Sequence, residues 1–363
     1  MKKILLVLLT LGMLCGCQGK KEDKITIGVI LPLTGELSGF GSLIKEDILL
    51  AYKMQDTSKY KLEFIDSKSE SKTALLGLNK LISSSNVKYL IGDVSSSVTM
   101  SLIPMINKHQ ILLLSPGASS PNLYNVSPFF ARNYPSDIQE SKDVAQYVYT
   151  NYQDSTIAIV YSNSEYGKGL YNGFMESYLL PHRVLLEESY DISQTDFKAI
   201  LSKLKSSKVK VLYLAGEEKG MGRFMKQYKD MHLNCKIISN INFIQPSCLN
   251  LAGYASEGVV IPLVKFAPED TTYMPTYHFA KRYKEIKGIE PSLVNAIAFD
   301  ALTLMIHVIE NTDNVEEAAK YLRHLKKYNG ALGVLDFENG DVRIPVEFMT
   351  IENNKVVKIT SVH

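Results

Sequence analysis

Short runs of almost wholly apolar residues recur along the chain, separated by longer segments whose apolar residues fall three and four apart. Lys24 to Leu31 sets Ile25, Ile27, Val29 and Leu31 on one face and Ile30 on the other, the pattern of a strand buried on both sides of a sheet. Pro32 to Gly41 is a glycine-rich loop, after which Ile44, Ile48, Ala51, Tyr52 and Gln55 keep helical spacing. A strand at Lys61 to Ile65, a loop at Asp66 to Ser71 and a helix marked by Leu75, Leu78, Leu81 and Ile82 follow. Val87 to Ile91 then ends at Gly92 and opens into Ser95-Ser96-Ser97. A helix-length segment leads to Ile111 to Leu114, which ends in Ser115-Pro116-Gly117-Ala118-Ser119-Ser120. This part of the chain reads β-α-β-α-β-α-β.

The alternation restarts after Arg132-Asn133-Tyr134-Pro135. Helices are expected near Ile138 to Asn151, Gly167 to Tyr178, around Phe197 to Leu204, and over Gly220 to His232. Strands are expected at Thr156 to Tyr161, Val184 to Tyr190, Val209 to Ala215, Lys236 to Ser239 and Gly258 to Val264. A Pro-bearing passage then carries the chain back, and two long helices, roughly Leu293 to Glu310 and Val315 to Tyr328, complete the first lobe. The tail holds a hairpin turn over Leu335 to Asp341 and two closing strands from Val346 to Val357 around Asn353-Asn354. The fold class is therefore α/β, two doubly wound Rossmann-like lobes joined by a hinge of three crossings. Those crossings are expected near Asn133 to Asp137, Leu263 to Phe266 and Gly333 to Phe337. The corresponding divisions are 25–133 for the N-terminal lobe, 134–263 for the C-terminal lobe, 264–333 completing the first, and 334–363 for the hinge and completion of the second.

The N-terminus changes the setting. Lys2 and Lys3 precede eleven residues, Ile4 to Leu14, that are strongly apolar apart from Thr10 and Gly12. That run is shorter than the roughly 20 residues a membrane helix needs, so 1–16 reads as a signal peptide. Its Leu14-Cys15-Gly16-Cys17 ending looks like a bacterial lipobox, which makes Cys17 the lipid-bearing residue and 17–24 a lipid anchor and tether on the outer face of a membrane. Loss of residues 1–16 leaves 38 basic against 38 acidic residues. With no basic stripe, nucleic acid is excluded as a partner. Cys235 and Cys248 remain, and an envelope location permits either a disulfide between them or two free thiols.

Catalytic patterns are missing. The chain has no G-x-S-x-G, H-E-x-x-H, C-x-x-C or P-loop, and Gly167-Lys168-Gly169 with Gly173 misses the dinucleotide fingerprint by one residue. Its seven histidines are scattered, so neither a metal site nor a cofactor is proposed, and the chain does not read as an enzyme. The two serine loops are a better candidate site. Loops leaving the carboxyl ends of neighbouring parallel strands lie side by side, and free N–H groups with serine hydroxyls suit a carboxylate. Ser95, Ser97 and Ser120 read as caps and turn formers, Ser96 and Ser119 as candidate ligand contacts.

These residues carry a resemblance. Ile27-Gly28-Val29-Ile30-Leu31-Pro32-Leu33-Thr34-Gly35, the two serine loops, Ala158-Ile159-Val160 through Tyr166-Gly167-Lys168-Gly169, Thr195-Asp196-Phe197, Ser256-Glu257-Gly258, and Gly333 to Phe337 with Gly340-Asp341 occur in the order of the type I periplasmic binding proteins. The likeness is to the branched-chain amino-acid (Leu/Ile/Val) receptors of ABC transporters and covers nearly the whole mature chain. It implies that Ser96 holds a ligand carboxylate, that Gly117 and Ser119 bind the amino-acid backbone, that Tyr166 covers the ligand from the opposite lobe, and that Phe40 is an aromatic contact. Where amino-acid binders of the family place a Glu for the ligand ammonium, this chain has Ile241 between Asn240 and Asn242. Glu217 could supply the missing carboxylate or be a solvated loop acid; Asn240 and Asn242 could instead hold a neutral group. The implied function is a lipid-anchored receptor that closes on an amino acid or related carboxylate or amide and presents it to an ABC permease. The alternative is an envelope lipoprotein of the same fold that senses a ligand or regulates a partner without transport.

Overall fold

The structure, a computed structural model, describes residues 24–35, 37–344 and 346–359. The signal segment and Cys17 lie outside the described residues.

Five parallel strands begin the first sheet: β1 (Ile25–Leu31), β2 (Tyr60–Asp66), β3 (Tyr89–Gly92), β4 (Leu112–Ser115) and β5 (Phe130–Arg132), in the order β2-β1-β3-β4-β5. The helices α1 (Ser38–Met54), α2 (Ser71–Ser85) and α3 (Ser96–His109) connect them. The alternation in β1 does what it predicts: Ile27, Val29 and Leu31 enter one core cluster, and Ile30 enters another on the opposite face with Leu78 and Leu102. A sheet covered on both faces needs that double hydrophobicity.

The second sheet repeats the order with β6 (Ile157–Ser162), β7 (Val184–Tyr190), β8 (Val211–Ala215), β9 (Lys236–Ser239) and β10 (Val260–Val264), arranged β7-β6-β8-β9-β10. Its helices are α4 (Asp137–Tyr152), α5 (Glu165–Ser177), α6 (Lys198–Ser207), α7 (Glu218–Asp230) and α8 (Pro246–Ala252). The chain then returns to the first lobe through α9 (Met274–Lys287), α10 (Leu293–Glu310) and α11 (Val315–His324), whose apolar faces join the β1 core. Although α10 has 18 residues of mean hydropathy 1.6, it is a core helix, with Ile297, Ala301, Leu302 and Met305 fully buried. Each such Leu or Ile contributes about 1.5–3 kcal/mol by leaving water.

Two expectations are corrected, and one that the sequence left open is decided. The segment read as the Pro-bearing return holds α9, whose buried Phe279, Ala280 and Tyr283 are interleaved with lysines that blur the apolar stripe. The hairpin β12 (Val334–Glu338) and β13 (Asp341–Arg343), assigned above to the hinge and second lobe, belongs to the first sheet: β13 pairs β5 in parallel and β12, with β11 (Tyr328–Asn329), extends that edge. The third crossing therefore falls between Arg343 and Val346, and only β14 (Val346–Glu352) and β15 (Lys355–Lys358) join the second sheet, antiparallel beside β10. Lastly, Cys235 and Cys248 are both free. They sit at opposite ends of β9: the Cys235 thiol donates to the Val209 carbonyl at the base of the sheet, whereas Cys248 is buried in α8 beyond its top. Burial pushes the Cys248 thiol up to about 12.

Candidate functional site

The first lobe presents the two serine loops as a pre-tied frame. Asp93, fully buried between them, accepts from the Ser67 hydroxyl at 2.5 Å and the Ser95 amide at 2.7 Å, and its carbonyl accepts from the Ser115 hydroxyl at 2.7 Å. Ser95 caps α3, and the Ser96 hydroxyl accepts from the Ser120 amide at 3.1 Å, joining one loop to the other. Gly117 is required by this closeness: a Cβ there would lie 2.7 Å from the Val94 Cβ.

Arg132 fixes this frame to the crossings. Its side chain is fully buried, and its five N–H groups reach five acceptors: both Asp341 carboxylate oxygens at 2.8 and 2.7 Å, the carbonyls of Ala118 and Ser120 at 3.2 and 2.8 Å, and the Ser136 hydroxyl at 2.8 Å. The second serine loop, the first crossing and the β13 edge are thus held by one fork-shaped cation. Ser136 in turn caps α4 by accepting from the Ile138 amide at 3.2 Å.

The opposite face comes from the second lobe. Tyr166 stands in the first turn of α5 and accepts from the Asn240 amide group at 2.8 Å; Asn240 also exchanges two hydrogen bonds of 3.1 Å with the Gly216 backbone. Beside them the first turn of α4 carries Asp137 and Glu140, 4% and 9% exposed. Glu140 Oε1 accepts from the Ile241 amide at 2.6 Å, whereas Asp137 Oδ2 has no hydrogen-bond partner. Burial pushes the Asp137 carboxyl up to about 7, against the pull of Arg132 and the Ser119 hydroxyl. Burial, and next Asp137 itself, pushes Glu140 up to about 8, against the pull of the Ile241 amide. Desolvation outweighs the helix N-terminus, which favours ionised acids in this turn.

Between these faces lies a cavity of about 180 Å³. All three crossings wall it, through Tyr134 and Pro135, Pro262 and Val264, and Ile344 and Val346. Of the residues expected from sequence, Ser119, Tyr166 and Asn242 line it. Ser96 and Gly117 stand in the loops behind Ser119, Asn240 is buried behind Tyr166, and Phe40 packs on the first-lobe core. Glu217 lies outside the cavity, at the start of α7, with Oε2 buried and unpartnered near Tyr190. Sequence reasoning missed Asp137 and Glu140. Acids in a first helical turn ordinarily signal a solvated start, but Asp137 ends the crossing Asn133 to Asp137 and Glu140 follows three residues on, and that coincidence was the available clue.

Two doubly wound lobes, crossed three times and enclosing a solute-sized cavity at the crossings, define the type I binding-protein fold. A model of the periplasmic binding protein family matches residues 24–355, and the chain belongs to that family of solute-binding proteins. It is 25% identical over 360 residues to the Leu/Ile/Val-binding protein homolog 1 of Brucella melitensis, covering 95% of each chain. The leucine binding protein LivK from Thermotoga maritima shares the fold with a TM-score of 0.77 at 24% identity, over 92% of this chain and 97% of that one. The substrate-binding protein LivJ from Streptococcus pneumoniae, solved in complex with isoleucine, does so with a TM-score of 0.75 at 22% identity, over 92% and 98%.

Proposed function

We propose that this protein is a lipid-anchored receptor of an ABC importer, held at the membrane by Cys17 and closing its two lobes on a small amino acid or a related carboxylate or amide. The observation that carries the reading is the cavity walled by all three crossings, because a solute seated at a hinge stabilises the closed arrangement only by touching both lobes. Ser119 serves it from the first lobe, Tyr166 and Asn242 from the second, and the Ser96 and Gly117 loop joins as the lobes approach. Relatives named for leucine, isoleucine and valine binding support an amino-acid-sized ligand. The test is native mass spectrometry of the mature protein for a co-purified solute, followed by solution scattering with and without it. A solute whose return makes the protein more compact is expected; a solute bound without compaction, or uptake that persists when the gene and its neighbouring permease are deleted, refutes the role. An unmodified N-terminus beyond Cys17 refutes the anchor.

A further inference from the structure

We propose that Gly169 and Pro121 are positioning residues for the closed, solute-holding arrangement: their contact is the stop against which the two lobes shut, so side-chain volume at position 169 sets how far the cleft closes. The proposal rests on the reading of this protein as a hinged receptor and adds a determinant of closure that does not line the cavity.

Three glycines fall within α5, at 167, 169 and 173, although glycine weakens a helix interior by giving the unfolded chain more freedom. Two of them answer to packing inside the second lobe, since a Cβ at Gly167 would strike Ser162 at the end of β6 and one at Gly173 would strike Ser141 on α4. Gly169 answers to the other lobe. The three atoms nearest to a Cβ at this position all belong to Pro121, with Cγ at 2.6 Å, Cδ at 3.0 Å and Cβ at 3.7 Å. Pro121 opens the single 3₁₀ turn that follows the second serine loop, and its ring is tied to its own backbone and cannot swing aside. Any side chain at 169 is therefore incompatible with the present approach of the lobes.

The contact is placed where hinge motion is felt. Ser119 and Tyr166 line the cavity from the first and second lobes, and Pro121 and Gly169 follow them by two and three residues on the same loop and the same helix. A rotation that opens the cavity parts Pro121 from Gly169, and closing brings them together. Neither side yields easily. The Ser120 amide donates to the Ser96 hydroxyl and the Ser120 carbonyl accepts from buried Arg132, which fixes the residue before Pro121, while the close seat of Gly173 on Ser141 fixes α5 against α4. Close-packed elements do not deform continuously, so volume added at 169 reappears as separation of the lobes.

One test needs no ligand. The 3.7 Å between a Cβ at 169 and the Pro121 Cβ falls in the range of a disulfide, so mild oxidation of the mature Pro121→Cys/Gly169→Cys variant is expected to join the two, as mapped by peptide mass spectrometry. The bond is expected to lower the radius of gyration in solution scattering until reductant restores it; no bond, or a bond without compaction, overturns the closing stop. A second test uses L-leucine and calorimetry. Apparent affinity follows the population of the binding-competent arrangement, so it is expected to fall from wild type to Gly169→Ala to Gly169→Leu, by at least about tenfold at the last. Urea midpoints without ligand are expected to stay at or above the wild-type value, because Ala and Leu favour a helix more than glycine does. Removing the opposing ring in Gly169→Ala/Pro121→Gly is expected to restore most of the lost affinity. Wild-type affinity in Gly169→Leu, or midpoints that fall in step with affinity, overturns the proposal. A wild-type protein that does not bind L-leucine counts against the amino-acid reading alone, and the crosslink then decides the stop.

Discussion

The two walls of the cleft are built on opposite principles. On the first-lobe side the serine loops are tied to one another and to the crossings: Asp93 serves four neighbours, the Ser96 oxygen closes onto Ser120, and Arg132 spends all five donors. The second-lobe side keeps polar groups in reserve: Asp137 Oδ2 is buried without a partner at the cleft, and elsewhere in that lobe Glu217 Oε2 and the hydroxyls of Tyr190 and Tyr213 are likewise unpartnered. A satisfied network is stiff and specifies one geometry, whereas unmet buried groups raise the free energy of the ligand-free state. The first lobe thus works as the fixed platform of the hinge, and the second as the side whose energetics a solute alters.

The largest effect that would break this comparison is expected at Arg132. Arg132→Met removes a fully buried cation from Asp341, itself largely buried, and strips acceptors Ala118, Ser120 and Ser136 of their donor. Leaving one member of a buried pair uncompensated costs about 3–5 kcal/mol, so the urea midpoint should fall steeply. A variant with a wild-type midpoint would show that the platform is not held by this fork.

The acid pair should respond in the opposite direction. Asp137 and Glu140 have folded-state values raised to about 7 and about 8, above those of an unfolded chain, so the folded state holds their protons more tightly. Their favourable contribution is present at acidic pH and is lost as pH climbs from about 4 through 8. Glu140→Gln should therefore match the wild type near pH 4 and exceed it by about 1–3 kcal/mol at pH 8, measured by urea unfolding across that range. Parallel pH profiles for the two proteins would mean that Glu140 is ionised in the folded state, and the second wall would then be as satisfied as the first.

How far the sequence disclosed these walls depended on the range of the interactions. The parallel strands of both doubly wound sheets except the three-residue β5, which was not read as a strand, and with them α10 and the β14–β15 hairpin at Asn353-Asn354, were legible because periodicity and turn chemistry are local. The hairpin β12–β13 was legible as a hairpin, with Asn339 and Gly340 both at positive φ, but not as part of the first lobe. Period-two alternation identifies a face and not a sheet, and what places β13 is the pairing of Asp341 with Arg132, 209 positions away. Glu217 and the Asp137–Glu140 pair show the same limit in the site. The family resemblance suggested Glu217, yet the turn of α4 that the first crossing presses into the cleft brings the acids that line it.

The smallest expected effect sharpens the comparison at Ser96. Its hydroxyl oxygen accepts from the Ser120 amide, and nothing in that bond uses its hydrogen, which remains available to a ligand carboxylate when the lobes close. Ser96→Ala removes both roles. The lost loop-to-loop bond is expected to cost about 1 kcal/mol of stability, and the lost charge-assisted donor about 1.5–3 kcal/mol of binding, tenfold or more in affinity for a carboxylate-bearing solute. Because 3-methylbutan-1-amine has no carboxylate, its affinity should be nearly unchanged by Ser96→Ala while that of L-leucine falls. Titration of both probes against the variant and the wild type checks it. A Ser96→Ala variant that weakens the amine as much as L-leucine would show that the platform acts by shape alone, with no carboxylate contact at Ser96.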